Sequence, residues 1–237
     1  NSKKALVAYL VAGDPDISTT LELMHQFVLS GVDIIELGVP FTDPIAEGPI
    51  IQAAHDRALQ ANTSLDMIFS LVEEFRSKDS ETPVILMGYI NTFLANSKAL
   101  ESIHERGTDA VLIVDVPGES SLEDIGIQNK NIASISLLSP TTDNDRIQKI
   151  CISSSGFIYY VTLRGVTGAS NLNENEIQTN ILNIKNSTNL PVLAGFGIKT
   201  ASDARALSQI SDGVVIGSVL VEMIQELSEN KDYKKIY

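Results

Sequence analysis

The sequence predicts an α/β fold, a single (β/α)8 barrel domain over residues 1–237, on three observations. Short runs of β-branched and aliphatic residues alternate with amphipathic helical stretches from one end of the chain to the other. The runs are apolar on both faces, as expected for parallel strands that are covered on each side. Eight such repeats in 237 residues fit a closed barrel better than an open sheet.

Eight segments have the pattern of strands, and helical patterns lie between them. The predicted strands are Ala5–Leu10, Asp33–Gly38, Pro83–Tyr89, Ala110–Val114, Ile132–Leu138, Phe157–Val161, Pro191–Ala194 and Gly213–Ile216. Helical periodicity is clearest over Ser18–Ser30, Ile51–Ala61, Leu65–Lys78 and Ala201–Ile210. Ser18, Ser64 and Thr200 lie where a side chain that caps a helix N-terminus is expected. No linker or low-complexity tract divides the chain, so we expect one domain.

Composition and charge narrow the classes of function. A net charge of −13 disfavours nucleic acid and anionic membranes as partners, because it repels a phosphate backbone. A small anionic substrate remains possible, since backbone N–H groups alone can bind it. Cys151 is the single cysteine, which excludes an intrachain disulfide. The sequence shows neither a membrane-spanning apolar run nor a leader pattern, so we expect a cytoplasmic protein.

The carboxyl ends of the predicted strands should hold the chemistry, because barrel active sites lie on the loops that follow the strands. Glu36 is the clearest polar residue there, flanked by Ile34, Ile35 and Leu37 at the end of the second strand. Burial would raise the pKa of this carboxyl towards neutrality, where it can both donate and accept a proton. A buried acid paired with a structural donor is the alternative interpretation.

The loop after the second strand carries two further acids, Asp43 and Glu47. Pro40, Pro44 and Pro49 fix the backbone φ at intervals across ten residues, which restrains the loop. A stiff loop above a barrel mouth would present a second carboxylate to a substrate. A solvated acidic loop explains the same residues equally well, and both interpretations stay open at this point.

Glycine-containing turns follow the sixth, seventh and eighth predicted strands. They are Gly165-Val166-Thr167-Gly168, Gly195-Phe196-Gly197-Ile198 and Gly217-Ser218. Glycine lets a backbone approach an anion closely, and the helix that follows directs free N–H groups at it. Barrels frequently bind phosphate with the loops after strands seven and eight. We therefore expect a phosphate site in this region.

Several common functional motifs are absent from the sequence. No CxxC, HxH or HExxH pattern occurs, and His25, His55 and His104 lie far apart on predicted helices. We interpret each histidine as a surface or packing residue and expect no metal site. Neither GxGxxG nor a phosphate-binding Gly–Lys loop occurs, and no lysine ends a strand as a Schiff-base candidate. We expect neither a bound nucleotide nor a covalently attached cofactor.

The segment Glu36–Pro49 resembles the signature ELGVPFSDPxADGP of tryptophan synthase alpha chains. Gly13-Asp14-Pro15, Asp115-Val116-Pro117 and the glycine turns after strands six and seven are similar too, so the resemblance covers essentially the whole chain. It implies a (β/α)8-barrel lyase that cleaves indole-3-glycerol phosphate to indole and glyceraldehyde 3-phosphate in tryptophan biosynthesis. It also implies a beta-chain partner in an α2β2 assembly, with pyridoxal phosphate in the beta chain and no cofactor in this one.

The resemblance assigns roles to individual residues. Glu36 falls on the acid/base that protonates the indole ring carbon, and Glu47 on the carboxylate that accepts a hydrogen bond from the indole N–H. Tyr159 matches a tyrosine that lines the site near Glu36, and Asp43 lies in the loop that the family turns towards the beta chain. The phosphate-binding positions implied are Gly168, Gly197, Gly217 and Ser218, and the indole pocket residues are Tyr9 and Tyr89.

One departure from the family pattern keeps a second function open. Glu47 stands where the family usually has aspartate, and the extra methylene moves the carboxylate by about 1–1.5 Å unless the loop compensates. A misplacement of about 1 Å can lower a rate on the order of a hundredfold. The alternative function is therefore a catalytically weak subunit that binds the same phosphate ligand and regulates the beta chain. Another phosphate-binding barrel, such as a sugar-phosphate isomerase, would lack this proline-rich acidic loop.

Overall fold

The computed structural model describes residues 3–95, 102–128, 131–162, 174–195 and 197–230. The strands are β1 (Ala5–Val11), β2 (Ile34–Gly38), β3 (Val84–Gly88), β4 (Ala110–Ile113), β5 (Ala133–Ser134), β6 (Ser136–Leu138), β7 (Ile158–Val161), β8 (Val192–Gly195) and β9 (Gly213–Ile216). The helices of the described residues are α1 (Ile17–Leu29), α2 (Pro49–Gln60), α3 (Leu65–Arg76), α4 (Ile90–Leu94), α5 (Asn144–Ser153), α6 (Glu174–Lys185), α7 (Ala201–Ile210) and α8 (Ser218–Asn230).

The strands form one parallel sheet in the order β5-β4-β3-β2-β1-β9-β8-β7-β6. Its two edges are consecutive pieces of chain, because β5 pairs with β4 and β6 pairs with β7. Only Ile135 separates them, and its N–H still donates to the Val111 carbonyl oxygen at 2.9 Å. Residues 133–138 therefore hydrogen-bond to β4 through their first part and to β7 through their second part. They join the two edges and curve the sheet into the predicted barrel.

The predicted fifth strand, Ile132–Leu138, is thus two short strands rather than one. Strands of a barrel are tilted and staggered, so one segment can pair with one neighbour over its first half and with the other neighbour over its second half. The change of partner at Ile135 breaks the strand into β5 and β6. The other predicted strands agree with the structure to within one or two residues at each end.

Side-chain alternation along the strands separates the barrel interior from an outer apolar layer. The interior cluster includes Val7, Ile85, Leu112, Leu193 and Val215. The residues next to these in the chain face outwards and pack on the helices; examples are Leu86 against the helix side chains of one cluster and Val192 against those of another. Each strand is consequently apolar on both faces, which is the physical origin of its unbroken apolar run.

The helix N-termini confirm two of the three predicted caps. Ser64 caps α3 and Thr200 caps α7, each accepting a hydrogen bond from a backbone N–H of the first turn. Ser18 was wrong as the cap of α1, because that helix begins at Ile17 and is capped by Asp16. The Asp16 carboxylate accepts from the Thr19 N–H at 2.8 Å, so a stronger acceptor already occupies the capping position.

Candidate active site

A cavity of about 250 Å³ lies at the carboxyl ends of the strands. Strand residues, the end of the acidic loop (residues 41–48), the start of α2 and two glycine turns line it. The lining residues are Tyr9, Glu36, Glu47, Gly48, Pro49, Ile50, Ile51, Met87, Tyr159, Gly197, Ile198, Val215, Gly217 and Ser218. A largely apolar wall with a few converging polar groups is the usual form of a small-molecule site.

Glu36 lies inside the barrel, close to the end of β2. Its side chain is only 1% exposed, and Oε1 has no hydrogen-bond partner among the described residues. Burial, and after it the negative charge of Glu47, raises the pKa of Glu36 to about 8. The carboxyl therefore holds its proton at neutral pH. This state is the one expected from its position at the strand end, and the unpartnered Oε1 disfavours the alternative of a structural ion pair.

Glu47 brings a second carboxyl to the same cavity. It is 8% exposed, and burial raises its pKa to about 7. Two carboxyls that share a poorly hydrated space cannot both ionise cheaply, so Glu36 and Glu47 titrate as a pair. Glu47 is the less buried of the two, so a negative charge on the pair is accommodated more readily there than on Glu36. The solvated acidic loop considered from the sequence is therefore not the environment of Glu47.

Tyr89, expected in the indole pocket, lies under the acidic loop instead of among the lining residues. Its hydroxyl accepts a hydrogen bond from the Ala46 N–H at 3.0 Å, and its ring stacks on Phe41 with 4.8 Å between centroids. β3 ends at Gly88 and Tyr89 is the N-cap residue of α4. The alternation of side chains along β3 therefore does not determine the direction of the Tyr89 side chain. Met87 lines the cavity from this strand.

The outer side of the acidic loop faces solvent. Asp43 is exposed, and its carboxylate accepts from the Thr42 hydroxyl at 2.6 Å. Ile45 is 85% exposed, although Pro44 beside it is buried. Asp43 thus lies on the surface where the sequence predicts a contact with a partner chain.

Two tyrosines of the cavity wall each lie over a glycine of a neighbouring strand. A Cβ on Gly38 would lie 2.3 Å from the Tyr9 hydroxyl oxygen, and one on Gly195 would lie 2.5 Å from that of Tyr159. Burial raises the pKa of both hydroxyls well above the usual range, so both keep their protons. The space for these rings depends on glycine in β2 and β8. This role of Gly38 was not predictable from the sequence, because its contact with Tyr9 depends on the shape of the barrel interior.

The described part of the predicted phosphate site borders the same cavity. Gly197, Gly217 and Ser218 all line it, and Gly197 has a φ of 73°, which favours glycine. α8 begins at Ser218, and the first turn of a helix has N–H groups without intrahelical partners. An anion in the cavity would therefore meet backbone donors at this point. Gly168, with the rest of its turn, lies outside the described residues.

The three histidines have positions that differ from one another. His25 stacks on Phe75 with 4.9 Å between centroids, His55 is buried on α2, and His104 is exposed. No group of three or more histidine, cysteine or acidic side chains in the described ranges could hold a metal ion. None of the helices that the structure describes is long and apolar enough to cross a membrane.

Sequence reasoning missed most of the apolar wall of the cavity. Ile50 and Ile51 line it from the start of α2, and Met87, Ile198 and Val215 complete it. A signal for Met87 exists, because it lies two residues beyond the interior position Ile85 of β3, and Val215 is itself an interior position of β9. No such periodicity marks Ile50 and Ile51, whose position depends on how Pro49 starts α2 beside the cavity.

Comparisons with known proteins agree with one another. Residues 1–236 match the family model of the tryptophan synthase alpha chain. The sequence is 44% identical over 232 residues to the tryptophan synthase alpha chain of Acinetobacter baumannii, covering 97% of this chain and 87% of that protein. It is 46% identical over 227 residues to the alpha chain of Nitrosococcus oceani, covering 94% and 84% respectively.

Solved structures show the same similarity. The crystal structure of tryptophan synthase subunit alpha from Legionella pneumophila has a TM-score of 0.88 and 40% identity, covering 97% of this chain and 86% of that one. A structure of the tryptophan synthase α2β2 complex from Pyrococcus furiosus has a TM-score of 0.85 and 35% identity, covering 94% and 90%.

Proposed function

The chain belongs to the tryptophan synthase alpha chain family, and from this premise we propose how its cavity performs the reaction. It is a carbon–carbon lyase that cleaves indole-3-glycerol phosphate to indole and glyceraldehyde 3-phosphate, and it acts with a beta chain in an α2β2 assembly. One observation supports the residue assignment above all others. Glu36 and Glu47, two buried carboxyls of raised pKa, line one largely apolar cavity.

Glu36 is the acid and then the base of the proposed reaction. Its proton passes to the indole ring carbon that bears the glycerol side chain, which leaves a positive charge on the ring nitrogen. The Glu36 carboxylate then removes the proton from the hydroxyl on the adjacent side-chain carbon. The bond between the two carbons breaks, its electron pair restores the aromatic ring, and the oxygen becomes the aldehyde carbonyl. Glu36 gives one proton and regains one, so the step balances.

Glu47 stabilises the charge that forms on the ring. As a carboxylate it accepts a hydrogen bond from the indole N–H and lies next to the cationic ring that exists after protonation. The surroundings of the two carboxyls support this division, since Glu36 is the more deeply buried and the negative charge of Glu47 raises the pKa of Glu36 further. Two carboxyls in one cavity thereby perform two different tasks.

The remaining walls orient the substrate in this proposal. Backbone N–H groups of Gly197, Gly217 and Ser218, together with Gly168, hold the phosphate. Tyr9 forms part of the indole pocket. Tyr159 lies near Glu36, whose charge is the second cause of the raised pKa of the Tyr159 hydroxyl after burial.

The proposal extends to the chain as a whole. Every step above is a proton transfer or a bond cleavage that a carboxyl can drive, so we propose that the chain needs no cofactor and that pyridoxal phosphate belongs to the beta chain. Asp43 contacts that chain from the acidic loop. Residues 1–237 form one domain, and the protein acts in the cytoplasm without nucleic acid or membrane partners, in keeping with its net charge of −13.

Indole release from indole-3-glycerol phosphate tests the proposal, first with the isolated chain and then with a beta chain added. Glu36→Gln should abolish turnover and leave the affinity for a phosphate-bearing substrate analogue unchanged, because glutamine resembles the protonated carboxyl in shape and charge. The exposed Glu105, replaced by glutamine, is the matched control. Full activity of Glu36→Gln would refute its role. Ligand binding without turnover by the unmodified chain in both assays would support the regulatory alternative instead.

A further inference from the structure

His55 contacts the acidic loop from inside the molecule. It lies on α2, and its side chain is 1% exposed. The backbone N–H of Phe41, the first residue of the loop, donates to His55 Nδ1 at 3.0 Å. His55 Nε2 is buried and has no hydrogen-bond partner among the described residues. Neither nitrogen can therefore reach the substrate cavity, whose lining does not include this residue.

The contact with Phe41 fixes the protonation state of the ring. A nitrogen that accepts a hydrogen bond carries no hydrogen, so the neutral imidazole must hold its proton on Nε2. Burial lowers the pKa of His55 to about 4, against a weaker opposite effect of Asp56. The ring is neutral at pH 7, and only the tautomer with hydrogen on Nε2 can bind the loop.

We propose that His55 is a positioning residue for the acidic loop, and that its Nδ1 atom holds the start of that loop in register with Glu47. This proposal rests on the proposed function of Glu47. The loop is fixed at its start by His55 through Phe41, and near its end by the Tyr89 hydroxyl, which accepts from Ala46. Phe41 and Tyr89 stack on one another, which joins the two attachments.

Packing alone does not explain a histidine at this position. In the required tautomer the Nε2–H group is a buried donor without a partner among the described residues, and such a group lowers stability relative to an apolar side chain of similar size. A residue selected only to fill space would therefore be leucine or a similar side chain. The acceptor at Nδ1 is what histidine supplies and leucine lacks.

Two substitutions of His55 distinguish the effect of its hydrogen-bond acceptor from the effect of its side-chain volume. His55→Asn places Oδ1 where Nδ1 was but leaves a void, whereas His55→Leu nearly keeps the volume and removes the acceptor. We expect His55→Leu to lower kcat for indole release on the order of 10–100-fold, because the loop and Glu47 lose their register. His55→Asn should stay within about threefold of the unmodified chain, although its unfolding midpoint should fall further than that of His55→Leu.

The proposal requires His55→Asn to release indole faster than His55→Leu does. Equal activities, or an active His55→Leu beside an impaired His55→Asn, would overturn the proposal. The affinity for a phosphate-bearing substrate analogue should be unchanged in both variants, because the glycine turns are not altered. A loss of that affinity in His55→Leu equal to its loss of kcat would indicate a general disturbance of the cavity and overturn it as well.

Amide hydrogen exchange gives a readout that does not depend on catalysis. The Phe41 and Ala46 amides should exchange faster in His55→Leu and at the original rate in His55→Asn. Unchanged protection of Phe41 in His55→Leu would overturn the positioning role. If the unmodified chain released no indole, the proposed function would fail, while this exchange comparison would still test the attachment of the loop.

Discussion

Replacing Glu36 by glutamine should stabilise the folded chain, and the gain should grow with pH. The carboxyl has an ordinary pKa of 4.5, which applies to the unfolded chain, and burial raises its pKa to about 8 in the folded chain. The folded state consequently binds this proton more tightly than the unfolded state does. The stability linked to the proton is fully present below pH 4.5 and is lost as pH rises from there through 8.

The size of the effect follows from the two pKa values. At pH 7 the unfolded chain has ionised Glu36, and holding the proton about 2.5 units above the ordinary pKa costs about 3 kcal/mol. At pH 5 the same cost is below about 1 kcal/mol. Glutamine has no proton to release in this range, so the variant escapes the cost. The free energy of unfolding of Glu36→Gln should therefore exceed that of the original chain by about 2 kcal/mol more at pH 7 than at pH 5.

Urea unfolding followed by circular dichroism at pH 5, 6, 7 and 8 measures this difference. Glu105→Gln changes an exposed acid in a turn and serves as the control, whose free energy of unfolding should lie within about 0.5 kcal/mol of that of the original chain. A difference between Glu36→Gln and the original chain that stays constant from pH 5 to pH 8 would refute the argument. It would mean that Glu36 ionises in the folded state as readily as in the unfolded one.

Three further outcomes are expected. Glu47→Asp should maintain or raise the rate of indole release, and a large loss would show that the cavity is built around the longer side chain. Gly38→Ala should lower the free energy of unfolding by about 1–3 kcal/mol, because its Cβ would lie 2.3 Å from the Tyr9 hydroxyl oxygen. Tyr9→Phe should recover part of that loss in the double variant, and full additivity in urea unfolding would contradict the contact. Asn62 has a φ of 59°, so Asn62→Gly should raise the melting temperature slightly, by the equivalent of about 0.5 kcal/mol, and a decrease would argue against backbone strain there.

The barrel was predictable because the burial of its strands determines which residue types each strand contains. Each strand is covered on both faces, so its run is apolar at every position, and the runs recur with helical patterns between them. The split of the fifth strand was not predictable in this way. Its residues are apolar or small on either side of Ile135, and the change of partner from β4 to β7 depends on the stagger of the closed barrel.

The candidate site was predictable where chemistry conflicts with local pattern. Glu36 interrupts an apolar strand. A carboxyl buried there lowers the stability of the fold, so its presence indicates a functional role. Tyr89, which the resemblance assigns to the indole pocket, shows the limit of strand alternation as a guide to side-chain position. Counting by twos from Ile85 and Met87 places Tyr89 inside the barrel, but β3 ends at Gly88 and the chain turns into α4. The tyrosine consequently supports the acidic loop from below, a position that depends on where one strand stops.

Glu47, which stands where the family usually has aspartate, changes the position of the carboxyl more than the conformation of the loop that carries it. Among the described residues, both hydrogen bonds of Glu47 use its backbone: its N–H donates to the Pro44 carbonyl oxygen at 3.0 Å, and its own carbonyl oxygen accepts from Gln52 Nε2 at 2.9 Å. Phe41 and Ala46 are attached through backbone N–H groups as well. None of these bonds depends on the length of the Glu47 side chain. A backbone held in this way cannot shift easily to compensate for one methylene, so the longer side chain must adjust through its own rotamer, within a cavity whose other walls come from strands of the barrel.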